Sequence, residues 1–281
     1  MNIRLAIKKG SKILENKNIK SSLLDAEILM SKVFESDRSY IILNNDKKID
    51  QIRLNEFIDL IHQRSCGKPT AYLIGKKDFW NSEFKVNEDV LIPRPDSEII
   101  IEQVLKLTKN KSKINILDVG VGSGCLLLSI LKERRDFYGA GIDICKKSLN
   151  LCRFNSAKLG LANRVKLYKS DIDNFNLGKY DLILSNPPYI NKFDLQYLEK
   201  DVIDFEPVKA LYGGLDGTSE IRKVINKSSE LIKRNGKLIL EIAFDQKEKV
   251  KKILNEKGFY INQILKDLAH NDRCIISTKY D

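Results

Sequence analysis

The chain has 281 residues, 42% hydrophobic and 31% charged, with a formal net charge of +11. That length allows one substantial α/β core plus a smaller domain, and no apolar stretch approaches the roughly 18 residues of a membrane span. No signal peptide follows Met1-Asn2-Ile3-Arg4. Five cysteines without a C-x-x-C pair, and two histidines, argue against a metal site of the Cys/His zinc kind and against a disulfide scaffold. They suit reduced thiols in the cytoplasm. The excess of Lys+Arg (49) over Asp+Glu (38) favours an acidic partner. The excess is mostly dispersed lysine, so a general lysine, isoleucine and asparagine bias accounts for it equally well.

The first part reads as helical. Leu24, Ile28, Leu29 and Val33 share one stripe, and Leu54, Phe57, Ile58 and Ile61 repeat at helix spacing after a cap at Asp50. Neither Gly nor Pro occurs between Ser11 and Cys66. Gly67-Lys68-Pro69 breaks the pattern. Phe79-Trp80 and Phe84-Lys85-Val86 then predict a short hairpin. In Leu91-Ile92-Pro93-Arg94-Pro95 the two prolines hold the backbone extended around Arg94. A helix opens at Asp96-Ser97-Glu98 and runs to about Leu107, its acids suiting the positive end.

From residue 113 strands and helices alternate. Strands are predicted at 114–119, 137–143, 165–168 and 182–185, with helices at 125–132, 147–159 and 218–232. Segments 237–242, 246–255, 259–265 and 274–278 complete the layer. Strands separated by helices of this length predict a mostly parallel sheet of seven strands, covered on both faces. The organisation expected is a helical domain over 1–72, a hairpin connector over 73–92 and an α/β domain over 93–281.

Asp118-Val119-Gly120-Val121-Gly122-Ser123-Gly124 takes a strand into a glycine turn. Such a turn lets backbone approach a ligand closely. Asp143, at the next strand end, can accept both hydroxyls of a ribose, which fits a dinucleotide site or an adenosyl site. Asp118, set before the first glycine, favours the adenosyl reading: it can orient the turn or face a cationic tail, whereas a pyrophosphate would be repelled. Asp171, one strand further, can accept from an adenine amino group or cap a turn.

Ser185-Asn186-Pro187-Pro188-Tyr189 ends another strand. The Asn186 side-chain oxygen and the Pro187 carbonyl are two acceptors that a stiff diproline bend can aim at one NH₂ group. An amide nitrogen is a poor nucleophile because its lone pair is delocalised. Holding both its hydrogens favours pyramidalisation as a new bond forms. Tyr189 can pack against the planar acceptor.

These segments together resemble the bacterial peptide-chain-release-factor glutamine N5-methyltransferases, class I S-adenosylmethionine-dependent enzymes with a Rossmann-like sheet. The resemblance spans nearly the whole chain: residues 64–69 with Ala71, Tyr72 and Gly75; the segment 91–98; the glycine loop; Asn186-Pro187-Pro188-Tyr189-Ile190; and Phe205-Glu206-Pro207 with the glycines that follow. It implies that Asn186 and the Pro187 carbonyl hold the target glutamine amide. Pro188, Tyr189, Arg94 and Phe79 would line or order the acceptor pocket. Asp118, Gly120, Val121, Gly122, Gly124, Asp143, Asp171 and Asn186 would surround S-adenosyl-L-methionine, released as S-adenosyl-L-homocysteine. The helical domain would help bind class 1 release factors around their Gly-Gly-Gln loop, with a monomer as the default and no need for direct nucleic-acid binding.

Two departures from the family pattern stand out. Asp96-Ser97-Glu98 replaces the usual glutamate-threonine-glutamate, and Ala243 stands where glycine is common. The competing readings are glutamine methylation of a ribosomal protein, exocyclic amino methylation of a nucleic acid, which would need base flipping and a phosphate-binding face, and a translation-associated binding module with a retired cofactor pocket.

Overall fold

The computed structural model describes residues 1–280. It divides into two compact units, Met1–Lys76 with Glu199–Phe205, and Lys77–Leu198 with Glu206–Asp281. The short segment Glu199–Phe205, which the sequence reading leaves with the α/β part, joins the helical unit, where Asp201 lies 3.7 Å from the Arg64 guanidinium.

The helical unit contains α1 (Ile3–Glu15), α2 (Ser22–Val33), α3 (Arg38–Leu43), α4 (Gln51–Ser65) and α5 (Thr70–Ile74). Three of these starts are fixed locally. The side chains of Asn2, Asp37 and Asp50 accept from the N–H groups of Leu5, Tyr40 and Arg53, satisfying donors that a first turn otherwise leaves free. α1 buries Ile3, Ala6, Ile7 and Leu14 along one stripe. The stripes on α2 and α4 are rotated from those expected. Leu24 and Ile58 are 42% and 52% exposed, while Ala26, Leu29, Met30 and Val33 of α2 and Phe57, Leu60 and Ile61 of α4 are buried. Neighbouring stripes satisfy the 3.6-residue period equally, and packing against α1 selects which is covered. Beneath them Arg64 and Asp25, both buried, pair at 2.8 Å. The Ser21 hydroxyl also donates to Asp25, and Arg64 reaches the carbonyls of Gly67 and Lys68.

The second unit, from Lys77, opens within a hairpin of β1 (Lys76–Phe79) and β2 (Ser82–Lys85), followed by a 3-10 turn Pro95–Ser97 and α6 (Glu98–Leu107). Then come β3 (Asn115–Val119), α7 (Cys125–Glu133), β4 (Tyr138–Asp143), α8 (Lys146–Lys158), β5 (Val165–Lys169) and β6 (Tyr180–Ser185). After α9 (Lys200–Phe205), which lies in the helical unit, the chain forms α10 (Ser219–Leu231), β7 (Ile232–Glu241), α11 (Lys247–Glu256), β8 (Phe259–Lys266) and β9 (Asp272–Lys279). Of the four closing segments, the one near 246–255 is thus a helix and the other three are strands. The seven strands run in the order β5-β4-β3-β6-β7-β9-β8, parallel through β7, with β9 antiparallel to both its neighbours.

Alternation along each strand builds two cores. Ile116, Leu182, Leu184, Ile239 and Ile276 face one side, against α6, α7 and α8. Leu117, Val119, Ile183, Leu238, Leu240 and Ile275 face the other, against α10 and α11. At roughly 1.5–3 kcal/mol for each fully buried aliphatic side chain, these two layers hold the strand ends in register. Asp118 and Glu241, by the same alternation, fall on the face covered by α6 to α8. No helix among the described residues is long and apolar enough to cross a membrane.

Candidate active site

β3 is the first strand of the sheet and lies inside it. The chain adds β4 and β5 on one side and then β6 and β7 on the other. The carboxyl ends of strands at such a reversal form the crevice where α/β sheets bind ligands. Gly120, Asp143, Asp171 and Asn186 stand at or just past the ends of four adjacent strands.

The glycine turn has two sides. Gly120, Gly122 and Gly124 take φ of +77°, +52° and +84°, a region that excludes most side chains. A Cβ on Gly120 would meet nothing within 4 Å, and one on Gly122 only the Gly120 carbonyl at 3.9 Å. Their backbone therefore faces open space. A Cβ on Gly124 would instead strike Cys152 Sγ at 2.7 Å and Leu128 Cδ1 at 2.8 Å. Val121 is likewise buried, packed toward Gly141. The turn presents a bare outer face on a tightly packed inner one.

Asp143 is built into this turn. Its Oδ2 accepts from the Gly122 N–H at 3.0 Å and its Oδ1 from the Cys145 N–H at 2.8 Å, which leaves each oxygen with further acceptor capacity. Burial pushes its carboxyl up, and the N–H groups of Cys145 and Gly122 oppose that. Asp118 is only 2% exposed. Burial pushes its carboxyl up to about 7, the Leu127 N–H in the first turn of α7 draws it down, and the charge of Asp143 adds to the rise. Asp171 is half-buried and accepts from the Asp173 N–H at 3.1 Å, capping the turn Ile172–Asn174.

On the other side of the crevice, the Ser185 hydroxyl donates to the Val119 carbonyl at 2.8 Å. Asn186 donates through Nδ2 to Ser97 Oγ at 3.2 Å, and Ser97 Oγ donates to Glu241 Oε2 at 2.5 Å. The Tyr189 hydroxyl donates to Glu241 Oε1 at 3.2 Å. Burial and the neighbouring Glu241 charge push the Tyr189 phenol well above its ordinary range. Gln246 donates to the carbonyls of Tyr189 and Gly217. A Cβ on Gly213 would lie 2.6 Å from the Pro188 carbonyl oxygen and 2.7 Å from Tyr189 Cα, so the backbone behind the diproline bend leaves room only for glycine. Among the described residues, no donor is hydrogen-bonded to Asn186 Oδ1 or to the Pro187 carbonyl.

Arg94 donates to Glu206 Oε1 at 2.5 Å, and the other oxygen of Glu206 accepts from the Ile92 N–H. Glu206 thus braces the Pro-Arg-Pro segment from within. Phe79 is a core residue, 2% exposed and edge-on to Phe84 with centroids 6.3 Å apart. The structure brings Asn186, Tyr189, Ser97 and Glu241 into one hydrogen-bonded group, while Phe79 packs in the wall of the core. Ser97, Glu241, Glu206 and Gln246 carry no site role in the sequence pattern alone. The available signal was an acid closing the apolar run Leu238-Ile239-Leu240-Glu241. Ala243, at the adjoining turn, is absent from the positive-φ positions, and its N–H donates to Gln246 Oε1. A side chain there carries no backbone strain.

Two family models match the chain. The "PrmC N-terminal domain" matches residues 6–75 and the "Methyltransferase domain" matches residues 110–274. Solved structures with a related fold include a methyltransferase from Pyrococcus furiosus (TM-score 0.53, 18% identity, 70% of this chain and 89% of that one). Another is a ribosomal protein L11 methylase from Lactobacillus delbrueckii subsp. bulgaricus (TM-score 0.51, 17% identity, 67% and 81%). The methyltransferase-domain match and the seven-stranded sheet together make this a methyltransferase with a Rossmann-like fold. Full-length similarity narrows the class. The chain is 33% identical to the release factor glutamine methyltransferase of Clostridium acetobutylicum over 99% of both chains. It is 37% identical to that of Clostridium botulinum over 96% of this chain and 97% of the relative. With that of Buchnera aphidicola subsp. Acyrthosiphon pisum it shares 34% over 100% of both. The chain belongs to the release factor glutamine methyltransferase family.

Proposed function

We propose that this enzyme transfers a methyl group from S-adenosyl-L-methionine to the side-chain amide nitrogen (N5) of the glutamine in the Gly-Gly-Gln loop of class 1 peptide chain release factors. The observation that carries the reading is the pair of uncommitted acceptors, Asn186 Oδ1 and the Pro187 carbonyl, at a strand end beside an open glycine turn. The cofactor, when bound, supplies an electrophilic methyl on a sulfonium sulfur. The residues present fit it. Gly120 and Gly122 offer bare backbone, Asp143 keeps lone pairs for ribose hydroxyls, and Asp118 places an acid beneath the turn.

The chain's part in the reaction is orientation. Asn186 Oδ1 and the Pro187 oxygen each accept one hydrogen of the substrate NH₂. That fixes the nitrogen lone pair toward the crevice and stabilises the nitrogen as it pyramidalises and gains positive charge. The proton lost afterwards leaves from one of these two hydrogen bonds to solvent. No strong base is required before transfer, because the nitrogen becomes acidic only once methylated. Tyr189, held by Glu241 and Gln246, braces the bend, and Arg94 with Glu206 braces the neighbouring segment. Residues 1–72 serve as the recognition part, and the free cysteines suit action in the cytoplasm.

The test is incubation with isotopically labelled cofactor and, in parallel, release factors, ribosomal proteins and DNA, with the label located by mass spectrometry. Label on the Gly-Gly-Gln glutamine is expected. Label confined to a ribosomal protein or to adenine would replace this reading with one of the competing ones.

A further inference from the structure

We propose that Ser97 and Glu241 are positioning residues: the buried Glu241 carboxylate fixes the direction of the Ser97 hydroxyl, and that hydroxyl fixes which way the Asn186 amide points. The inference rests on Asn186 being the group that holds the substrate amide.

An ionised carboxylate accepts only, and a serine hydroxyl has one hydrogen and two lone pairs. The single Ser97 hydrogen is committed to Glu241 Oε2 at 2.5 Å. Toward Asn186 the same oxygen is therefore only an acceptor. The amide must offer its NH₂ there, as the 3.2 Å bond from Nδ2 records. Oδ1 is then turned outward, toward the position a substrate NH₂ would take. With the amide flipped, Oδ1 would meet a lone pair of Ser97 and the NH₂ would meet the donors of the substrate, so both contacts fail together.

The relay is sheltered and anchored. Ser97 and Glu241 are 3% and 1% exposed, so water does not compete for these bonds. Glu241 also holds the Tyr189 hydroxyl through its other oxygen, so one carboxylate secures both ends of the Asn186–Tyr189 motif. Burial pushes the Glu241 carboxyl up, while the Ser97 hydroxyl, Arg273 and the Tyr189 hydroxyl draw it back toward the charged form and Asp96 opposes them. The hydroxyl is what the position requires, which explains why serine serves at 97 and predicts that threonine would too.

Steady-state methylation of a release factor by the full chain tests this, with wild type, Ser97→Ala, Ser97→Thr, Glu241→Gln and the double variant Ser97→Ala/Glu241→Gln. Cofactor affinity and thermal midpoint are measured on each. Ser97→Ala is expected to lower kcat by about 10- to 100-fold, with KM and cofactor Kd within about threefold, the pattern of an interaction used in the transition state. Ser97→Thr should stay within about threefold of wild type. Glu241→Gln, which can donate or accept, should resemble Ser97→Ala, and the double variant should be no worse than the lower single, since residues in one relay are not additive. The Asn186 side-chain NH₂, followed by ¹⁵N NMR, should lose its hydrogen-bonded shift and slow exchange in Ser97→Ala and Glu241→Gln and keep them in Ser97→Thr. Wild-type kcat in folded Ser97→Ala, additive losses, or an unchanged Asn186 NH₂ signal would overturn the relay. Failure of wild type to methylate any release factor, with the NMR response intact, would count against the functional reading and leave the relay standing.

Discussion

The Ser185 hydroxyl donates to the Val119 carbonyl at 2.8 Å, joining the residue before the glycine turn to the residue before Asn186. β3 and β6 are adjacent parallel strands with Val119 and Ser185 in register, so this bond clamps the glycine turn and the Asn186-Pro187-Pro188 bend at one spacing. Ser185 is fully buried. Ser185→Ala should cost about 1–2 kcal/mol of stability by urea unfolding, the cost of a lost buried hydrogen bond, and should lower kcat more than cofactor affinity. An unchanged kcat would show that the clamp does not set the spacing used in transfer.

Asn186→Ala and Asp143→Ala should separate the two halves of the site. Loss of Asn186 Oδ1 should reduce transfer by on the order of 10²- to 10³-fold, the scale of removing one oriented polar group at a reacting centre, with cofactor Kd nearly unchanged by calorimetry. Asp143→Ala should weaken cofactor binding first. It also releases the Gly122 and Cys145 N–H groups that Asp143 now satisfies. Equal loss of cofactor affinity in both variants would contradict the division of roles.

Asp118 should make the stability of the protein depend on pH. Its carboxyl is raised from 3.8 to about 7, chiefly by burial, so the native state holds that proton more tightly than the unfolded chain. Its stabilising contribution is fully present below about pH 4 and is lost as pH rises toward 7. The full shift corresponds to on the order of 4 kcal/mol. Asp143 and Glu241 are raised in the same direction, whereas Asp216 and Asp267 are lowered and lose their contribution only in acid. Urea unfolding at pH 5 and pH 7.5 should therefore show a larger drop for wild type than for Asp118→Asn. Identical drops would place the titrating group elsewhere.

The helical unit rests on Asp25 and Arg64, both buried and 2.8 Å apart. Arg64→Ala should destabilise this unit by about 3–5 kcal/mol, because it strands a buried carboxylate. Asp25→Asn combined with Arg64→Met should recover part of that loss. Chemical denaturation of the full chain followed by far-UV circular dichroism reads both, and a negligible effect of Arg64→Ala would mean that Asp25 finds another partner.

The sheet and the strand-end residues were legible because apolar runs of strand length, broken by glycine and capped by acids, have few other solutions. Asp118, Asp143 and Asn186 each close such a run. The same signal marked Glu241, but its meaning lay in Ser97, 144 positions away, and sequence spacing carries no information on such a contact. The helical stripes were legible in period but not in phase. Leu24 and Ile58 fit the expected repeat and stay exposed, since the covering surface comes from another helix. Phe79 reads as an aromatic near the site by resemblance, whereas its burial against Phe84 depends on how the hairpin packs.

The central claim is that two oxygens at one bend hold one NH₂ group. A crystal structure of the protein with S-adenosyl-L-homocysteine and a Gly-Gly-Gln peptide tests it most directly. The expected result is the glutamine nitrogen about 3 Å from both Asn186 Oδ1 and the Pro187 carbonyl oxygen, within hydrogen-bond range, facing the sulfur. A glutamine held by other groups, with these oxygens turned away from its nitrogen, would contradict the account.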